Sequence, residues 1–79
     1  MVLVRYFAGA RAAAGVPEEK VAAATLGELL EAVSASHGDQ FGRVLPACSF
    51  LVDGLAARDR ATALPDGVTV DVLPPFAGG

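Results

Sequence analysis

The 79-residue chain contains one cysteine, Cys48, one histidine, His37, and no tryptophan. A single cysteine can form neither an internal disulfide nor a cysteine-based metal cluster, and such a composition favours a reducing, cytosolic setting. One histidine is also too few for a histidine metal site or a catalytic triad. We therefore expect no bound metal, and we interpret Cys48 as a small apolar residue rather than a nucleophile.

Basic residues and long apolar runs are also scarce. Six Lys and Arg residues stand against nine Asp and Glu residues, so the formal net charge is −3. Because nucleic-acid-binding domains need a basic face, the composition argues against a nucleic-acid partner. No apolar run approaches the roughly 20 residues that span a bilayer, and residues 1–5 lack the features of a signal peptide. We therefore expect no membrane association and a single small domain.

The first half of the chain predicts two strands and two helices. Residues 2–8 alternate as a strand, with even-numbered residues on one face and odd-numbered residues on the other. Residues 9–15 predict a short helical turn that Gly15 ends, and residues 19–24 predict a second strand. Thr25 and Glu28 have the capping-box spacing that begins a helix, and His37 with Gly38 ends it. The apolar stripe of this helix is Leu26, Leu29, Leu30 and Val33.

The second half predicts three further strands. Residues 39–47 are interpreted as a connector with one helical turn. Residues 49–52 and 55–57 flank Asp53-Gly54, a strong hairpin signal, and residues 68–73 form the last strand. One main helix with four or five strands in this order predicts an α+β fold with a mixed sheet. The sheet face away from the helix would carry Leu3, Phe7 and Leu73, which we interpret as a docking patch.

The C-terminal segment carries the most specific motif. Residues 74–79 read Pro-Pro-Phe-Ala-Gly-Gly, and two glycines without Cβ atoms can thread a narrow cleft. A terminal α-carboxylate has a reference pKa of about 3.3–3.7 and is ionised at neutral pH. Such a carboxylate can attack the α-phosphorus of ATP to give an acyl-adenylate. We therefore expect a folded domain over residues 1–73 and a flexible tail over residues 74–79, with Gly79 as the reactive residue.

Residues 66–79 closely resemble the C terminus of the MoaD/ThiS sulfur-carrier family. Residues 4–11, Val-Arg-Tyr-Phe-Ala-Gly-Ala-Arg, resemble the opening strand, aromatic pair and arginine of that family, and residues 25–30 resemble its helix start. The Pro-Pro pair is most like the small subunit of molybdopterin synthase, whereas thiamine-pathway carriers usually lack it. Arg5 stands where the molybdopterin subunits often have an apolar residue. The resemblance implies a β-grasp, or ubiquitin-like, fold.

The resemblance also implies a carrier that is not itself an enzyme and binds no cofactor. A ubiquitin-activating-type enzyme would adenylate Gly79 with ATP and Mg²⁺, and a sulfur donor enzyme would convert the adenylate to a thiocarboxylate. The loaded tail would then enter a client enzyme such as the molybdopterin synthase large subunit. The implied partner-binding residues are Phe7, Arg11, Leu73, Pro74, Pro75, Phe76, Ala77 and Gly78.

Three alternatives remain open at this point. The chain resembles carriers that supply sulfur for cysteine, thiamine or specialised metabolites as well. A protein modifier would transfer the activated Gly79 to a lysine of a target, although Lys20 is the single lysine through which this protein could form chains on itself. A plain interaction module would carry its two glycines by accident. We interpret residues 18–20 as a solvated turn and His37 as a partner of the helix dipole.

Overall fold

Five strands form one mixed sheet in the order β2-β1-β5-β3-β4 in this computed structural model, which describes residues 1–74. The strands are β1 (Val2–Tyr6), β2 (Glu18–Val21), β3 (Ser49–Val52), β4 (Leu55–Ala57) and β5 (Thr69–Leu73). The helices are α1 (Ala8–Ala14), α2 (Leu26–His37) and α3 (Asp39–Val44), followed by a 3₁₀ turn at Leu45–Ala47. The predicted α+β, β-grasp arrangement is confirmed. Within residues 1–74, no helix is long and apolar enough to cross a membrane.

The core lies between α2 and one face of the sheet. β1 and β5 are parallel neighbours at the centre, and their residues on this face are at most 1% exposed. These residues are Val2, Val4, Tyr6, Val70 and Val72. The predicted alternation along β1 and β5 is therefore confirmed, because side chains of a strand alternate between the two faces.

The stripe of α2 is buried at three of its four predicted positions. Leu26, Leu29 and Val33 are at most 1% exposed and belong to the same buried cluster as the core-facing residues of β1 and β5. Leu30 is half-buried and packs at the edge of this core. The residue that best tests the core beneath α2 is therefore Leu29 and not Leu30.

The ends of α2 follow the predicted capping signals. The Glu28 backbone N–H donates to Thr25 Oγ1 at 3.2 Å, and the Ala24 N–H donates to Glu28 Oε1 at 2.9 Å. The second bond therefore reaches one residue further back than in the usual capping box. At the other end, Gly38 takes a φ of 87° and a ψ of −175°, a positive-φ conformation that is essentially restricted to glycine. The predicted connector after this helix contains α3 and the 3₁₀ turn.

A polar cluster, Tyr6, Glu19 and His37, ties β2 to the centre of the fold. The interpretation of residues 18–20 as a solvated turn is wrong, because they belong to β2, where Glu19 lies opposite Val4 of β1. The Tyr6 hydroxyl donates to Glu19 Oε2 at 2.5 Å, and His37 Nε2 forms a hydrogen bond with the same oxygen. Burial and the bond to Glu19 both raise the pKa of Tyr6. His37 therefore contacts a carboxylate rather than acting through the helix dipole alone.

Aromatic contacts extend this cluster to α3. The rings of Tyr6, His37 and Phe41 meet pairwise edge to face, with centroids 5.3–5.8 Å apart. Each such pair contributes about 0.5–1.5 kcal/mol beyond the apolar area it buries. The cluster joins β1, β2, α2 and α3, so it holds an edge strand against two helices.

We expect stability in acid to depend on Glu19. Burial alone would raise the pKa of Glu19, but the hydrogen bonds from His37 and Tyr6 outweigh burial and lower that pKa. Because the folded-state pKa lies below the unfolded value of about 4.3, Glu19 stabilises the fold above that pH. This stabilisation is lost as the pH falls through the folded-state pKa.

Glu19→Gln should lower the free energy of unfolding at pH 7 by about 1–3 kcal/mol and flatten its decline in acid. Urea titrations across the acid range measure both effects. Glu18→Gln is the matched control, since Glu18 is exposed on the same strand and its loss should leave the pH profile unchanged. An unaltered acid profile in Glu19→Gln would contradict this role.

Candidate partner interface at the root of the tail

The sheet face that points away from α2, here called the open face, is built around one row of residues. Arg5 of β1, Asp71 of β5 and Leu51 of β3 lie directly opposite one another. Alternate residues along each strand share this face. Four half-buried apolar side chains surround the two charged ones: Leu3, Phe7, Leu51 and Leu73.

Arg5 and Asp71 form a two-point ion pair at the centre of the open face. Arg5 Nε donates to Asp71 Oδ1 at 2.7 Å, and Nη2 donates to Oδ2 at 3.0 Å. The guanidinium carbon lies 5.7 Å from the centroid of the Phe7 ring. The hydrogen bond to Asp71, followed by the charge of that carboxylate, raises the pKa of Arg5. Because bidentate pairing satisfies both oxygens of Asp71, its burial in the sheet is tolerated.

The sequence places Arg5 and Asp71 on the same face of two strands, but it does not reveal that they pair. The missing information is the register between β1 and β5, which sets Arg5 opposite Asp71 and not opposite Thr69 or Leu73. A lone arginine and a lone acid at the middle of two neighbouring strands are the signal from which this contact could have been anticipated.

α1 brings the other predicted binding residues to one end of the sheet. The Phe7 N–H donates to the Val72 carbonyl at 3.1 Å, which joins the end of β1 to the end of β5. Ala8 then takes a φ of 48° and begins α1, so β1 ends two residues earlier than predicted. The exposed Arg11 reaches back from α1 and its Nε donates to the Tyr6 carbonyl at 3.4 Å.

Four of the predicted binding residues therefore lie together. Phe7, Arg11, Leu73 and Pro74 all occupy the end of the sheet from which the chain continues to residues 75–79. Leu73 and Pro74 are called the tail root below. The other predicted site residues, Pro75, Phe76, Ala77, Gly78 and Gly79, lie outside the described residues. The roles of all nine predicted site residues stay predictions.

Cys48 lies away from this surface. It lines a groove of about 870 Å³ on the helix side of the sheet, between α2, the 3₁₀ turn and the β3–β4 hairpin. Its thiol donates to the Val44 carbonyl at 3.3 Å, and burial raises its pKa. A raised pKa leaves less thiolate at neutral pH. The environment of Cys48 therefore agrees with its interpretation as an apolar side chain, although it is half-buried rather than fully buried.

The sequence matches the ThiS family over residues 4–79. The chain therefore belongs to the ThiS family, whose members and structural relatives are ubiquitin-like sulfur carriers. This finding confirms the resemblance seen in the C-terminal motif. No curated protein matches the sequence.

Solved structures of known proteins agree with this assignment. A candidate molybdopterin converting factor, subunit 1, from Pyrococcus furiosus is 30% identical, with a TM-score of 0.79, over 95% of this chain and 97% of that one. SAMP1 from Haloferax volcanii is 27% identical, with a TM-score of 0.79, over 99% and 98%. In a complex of subunits 1 and 2 of the molybdopterin-converting factor from Helicobacter pylori, the matching chain is 26% identical, with a TM-score of 0.74, over 99% and 97%. Small carriers of this type are generally non-catalytic.

We expect substitutions on the two faces of the sheet to have opposite effects on folding. Phe7→Asp places a carboxylate on the half-buried open face beside Arg5, so the domain should stay folded. Leu29→Asp places an unpaired charge at a position that is 0% exposed, which typically costs several kcal/mol and should unfold the domain. Far-UV circular dichroism with urea titration separates the two outcomes. If Phe7→Asp unfolds the protein as Leu29→Asp does, Phe7 belongs to the core and the open face is not a free surface.

Proposed function

We propose that the protein carries sulfur as a thiocarboxylate at Gly79. In the first step, a carboxylate oxygen of Gly79 attacks the α-phosphorus of ATP in a ubiquitin-activating-type enzyme, with Mg²⁺ bound to the nucleotide, and pyrophosphate leaves. In the second step, hydrosulfide released by a sulfur donor enzyme attacks the acyl carbon, AMP leaves with the carboxylate oxygen, and a thiocarboxylate remains at Gly79. Membership of the ThiS family supports the carrier role.

The observation that carries this proposal is the position of the tail root. β5 is a central strand held by β1 and β3 on either side, and residues 74–79 follow it directly. A rigid central strand fixes the origin of the tail, and the five residues after Pro74 span at most about 17 Å when extended. A partner that docks on the open face therefore holds Gly79 within a defined reach of its own reactive centre.

The composition of the tail suits insertion into a partner. Pro74 and Pro75 each fix φ near −65°, which reduces the conformational entropy that the segment loses on binding. Phe76 supplies an apolar anchor for a pocket in the partner. Gly78 and Gly79 allow close approach of a catalytic centre to the backbone.

The client that we favour is an enzyme like the large subunit of molybdopterin synthase. The H. pylori relative is seen in a complex of subunits 1 and 2 of the molybdopterin-converting factor, and the Pro-Pro pair of this chain is most like the small subunit of molybdopterin synthase. The substrate of the client would receive the sulfur, and water would supply the oxygen that restores the carboxylate of Gly79. The partner enzymes then supply the catalytic residues and the ATP. The carrier supplies the acyl carbon of Gly79, to which the sulfur is attached.

A second candidate function is protein modification through the same activated Gly79. Relatives from H. volcanii and Methanosarcina acetivorans are small archaeal modifier proteins, 27% and 26% identical to this chain. In that reaction a lysine amine of a target attacks the acyl carbon in place of sulfur, and an isopeptide bond forms. Both candidates share the adenylation step, so they differ in the acceptor alone.

We expect adenylation to require Gly79 at the end of the chain. Deleting Gly79, or adding one residue after it, should abolish ATP–pyrophosphate exchange by the host's ubiquitin-activating-type enzyme, because the terminal carboxylate is then displaced by one residue. The fold should be unaffected, since the domain within residues 1–74 has its own core.

Cys48→Ser provides the control in the same assay. Its thiol lies on the helix side of the sheet with a raised pKa, so the variant should support exchange and accept sulfur as the wild type does. Undiminished exchange by the truncated or extended chain would contradict the carrier proposal. A folded Cys48→Ser variant that cannot accept sulfur would instead assign a chemical role to Cys48.

A further inference from the structure

Arg5 has hydrogen-bond donors that nothing in residues 1–74 accepts. A guanidinium carries five N–H groups, and two of them are directed to Asp71. The remaining three have no acceptor within the described part of the chain, and the side chain is 47% exposed to solvent. Among the described residues, the centre of the open face therefore presents a guanidinium, paired with Asp71, that has three N–H groups without an acceptor.

Contacts within the carrier hold the guanidinium of Arg5 in place before any partner binds. Asp71 anchors two of its nitrogens, and the Asp71 side chain is itself only 13% exposed between β1 and β3. The Phe7 ring lies beside the guanidinium carbon at 5.7 Å. An arginine held in this way loses little rotamer freedom when a further ligand binds.

The surroundings of Arg5 resemble the centre of a protein interface. Arginine is enriched among the residues that dominate binding, particularly where a ring of other contacts excludes water. Here the apolar part of the ring is made of the half-buried Leu3, Phe7, Leu51 and Leu73. On the β2 side two exposed charges adjoin it: Glu18 is the cross-strand partner of Arg5, and Lys20 is that of Leu3. The charge of Glu18 contributes to the raised pKa of Arg5.

A purely apolar partner surface would fit this face poorly. Covering the apolar ring removes water from Arg5, and its three free N–H groups would then be buried without acceptors. Burying unpaired donors of a charged group is strongly unfavourable. A carboxylate that meets the free edge of the guanidinium would satisfy these donors through short, charge-assisted bonds.

We propose that the client enzyme presents an Asp or Glu carboxylate, surrounded by apolar side chains, to the free edge of Arg5. Arg5 is then the residue that selects the client, and Asp71 is a positioning residue that orients Arg5. This inference rests on the proposed function, because a carrier that delivers its tail needs a partner at the tail root. Lys20, at the edge of the same face, has no part in the selection.

The test uses the full-length carrier and the host's own homologue of the molybdopterin synthase large subunit, titrated by calorimetry at several salt concentrations. Arg5→Met should weaken binding by at least about tenfold and reduce its salt dependence, since a buried charge pair is lost. Arg5→Lys should recover part of the affinity, because it keeps the charge but not the fork of donors. Asp71→Asn should give an intermediate loss of affinity. Lys20→Met is the matched control and should change the affinity little.

Folding is checked first by thermal melting of each variant. If Arg5→Met unfolds because Asp71 is left unpaired, the double variant Arg5→Met/Asp71→Leu removes both charges and takes its place in the titration. Binding as tight as the wild type, with an unchanged salt dependence, in the Arg5 variant would overturn the proposed carboxylate. Absence of any complex between the wild-type carrier and this large subunit would overturn it as well.

The carrier function is measured separately in the same preparations by ATP–pyrophosphate exchange. If exchange is intact while Arg5→Met binds the client normally, this inference fails and the carrier function stands. If the wild type itself supports no exchange, the proposed function fails and the inference falls with it.

Discussion

The parallel pairing of β1 with β5 is the contact on which the rest of the structure depends. It joins residues 66 positions apart in the chain, such as Leu3 with Thr69 and Tyr6 with Val72. Because parallel neighbours require a long connection, everything between these strands must fold back around them. One face of the pair becomes the core beneath α2, and the other becomes the open face with Arg5 and Asp71 at its centre.

Two sets of polar groups lie on opposite faces of this strand pair, one at the margin of the core and one on the open face. Tyr6, Glu19 and His37 satisfy one another at the margin of the core and hold β2 against α2. Arg5 and Asp71 pair with each other on the opposite face, where three guanidinium N–H groups have no acceptor within residues 1–74. A stable scaffold and an accessible surface are thus built from adjacent residues of β1, because Arg5 and Tyr6 point to opposite sides of the sheet.

The sequence predicts the parts of the fold that depend on local periodicity. Alternation in β1 and β5, the capping residues of α2 and the Asp53-Gly54 turn, where both φ angles are positive, are local features with a direct physical cause. The predicted end of β1 is two residues too late because the backbone of Ala8 turns into α1. The prediction of a solvated Glu19 is wrong because its burial depends on Tyr6 and His37, which lie 13 and 18 residues away.

In the candidate site too, some features follow from the sequence and others depend on contacts between distant residues. The faces of Phe7 and Leu73 follow from strand periodicity, and the C-terminal motif follows from its unusual composition. The pairing of Arg5 with Asp71 required the register between two distant strands, which periodicity does not specify. The groove beside Cys48 depends on how α2, the 3₁₀ turn and the β3–β4 hairpin are spaced, so no local sequence pattern predicts it.

The central claim, that Gly79 carries sulfur, is tested most directly by the intact mass of the protein purified from its native host. The account predicts a population heavier by the difference between one sulfur and one oxygen atom, and fragmentation should place that difference on Gly79. Alkylation should trap the same population as a thioester at Gly79, which hydroxylamine should then cleave. A mass difference that maps to Cys48, or a ladder of conjugates through Gly79 with no sulfur-loaded form, would contradict the account.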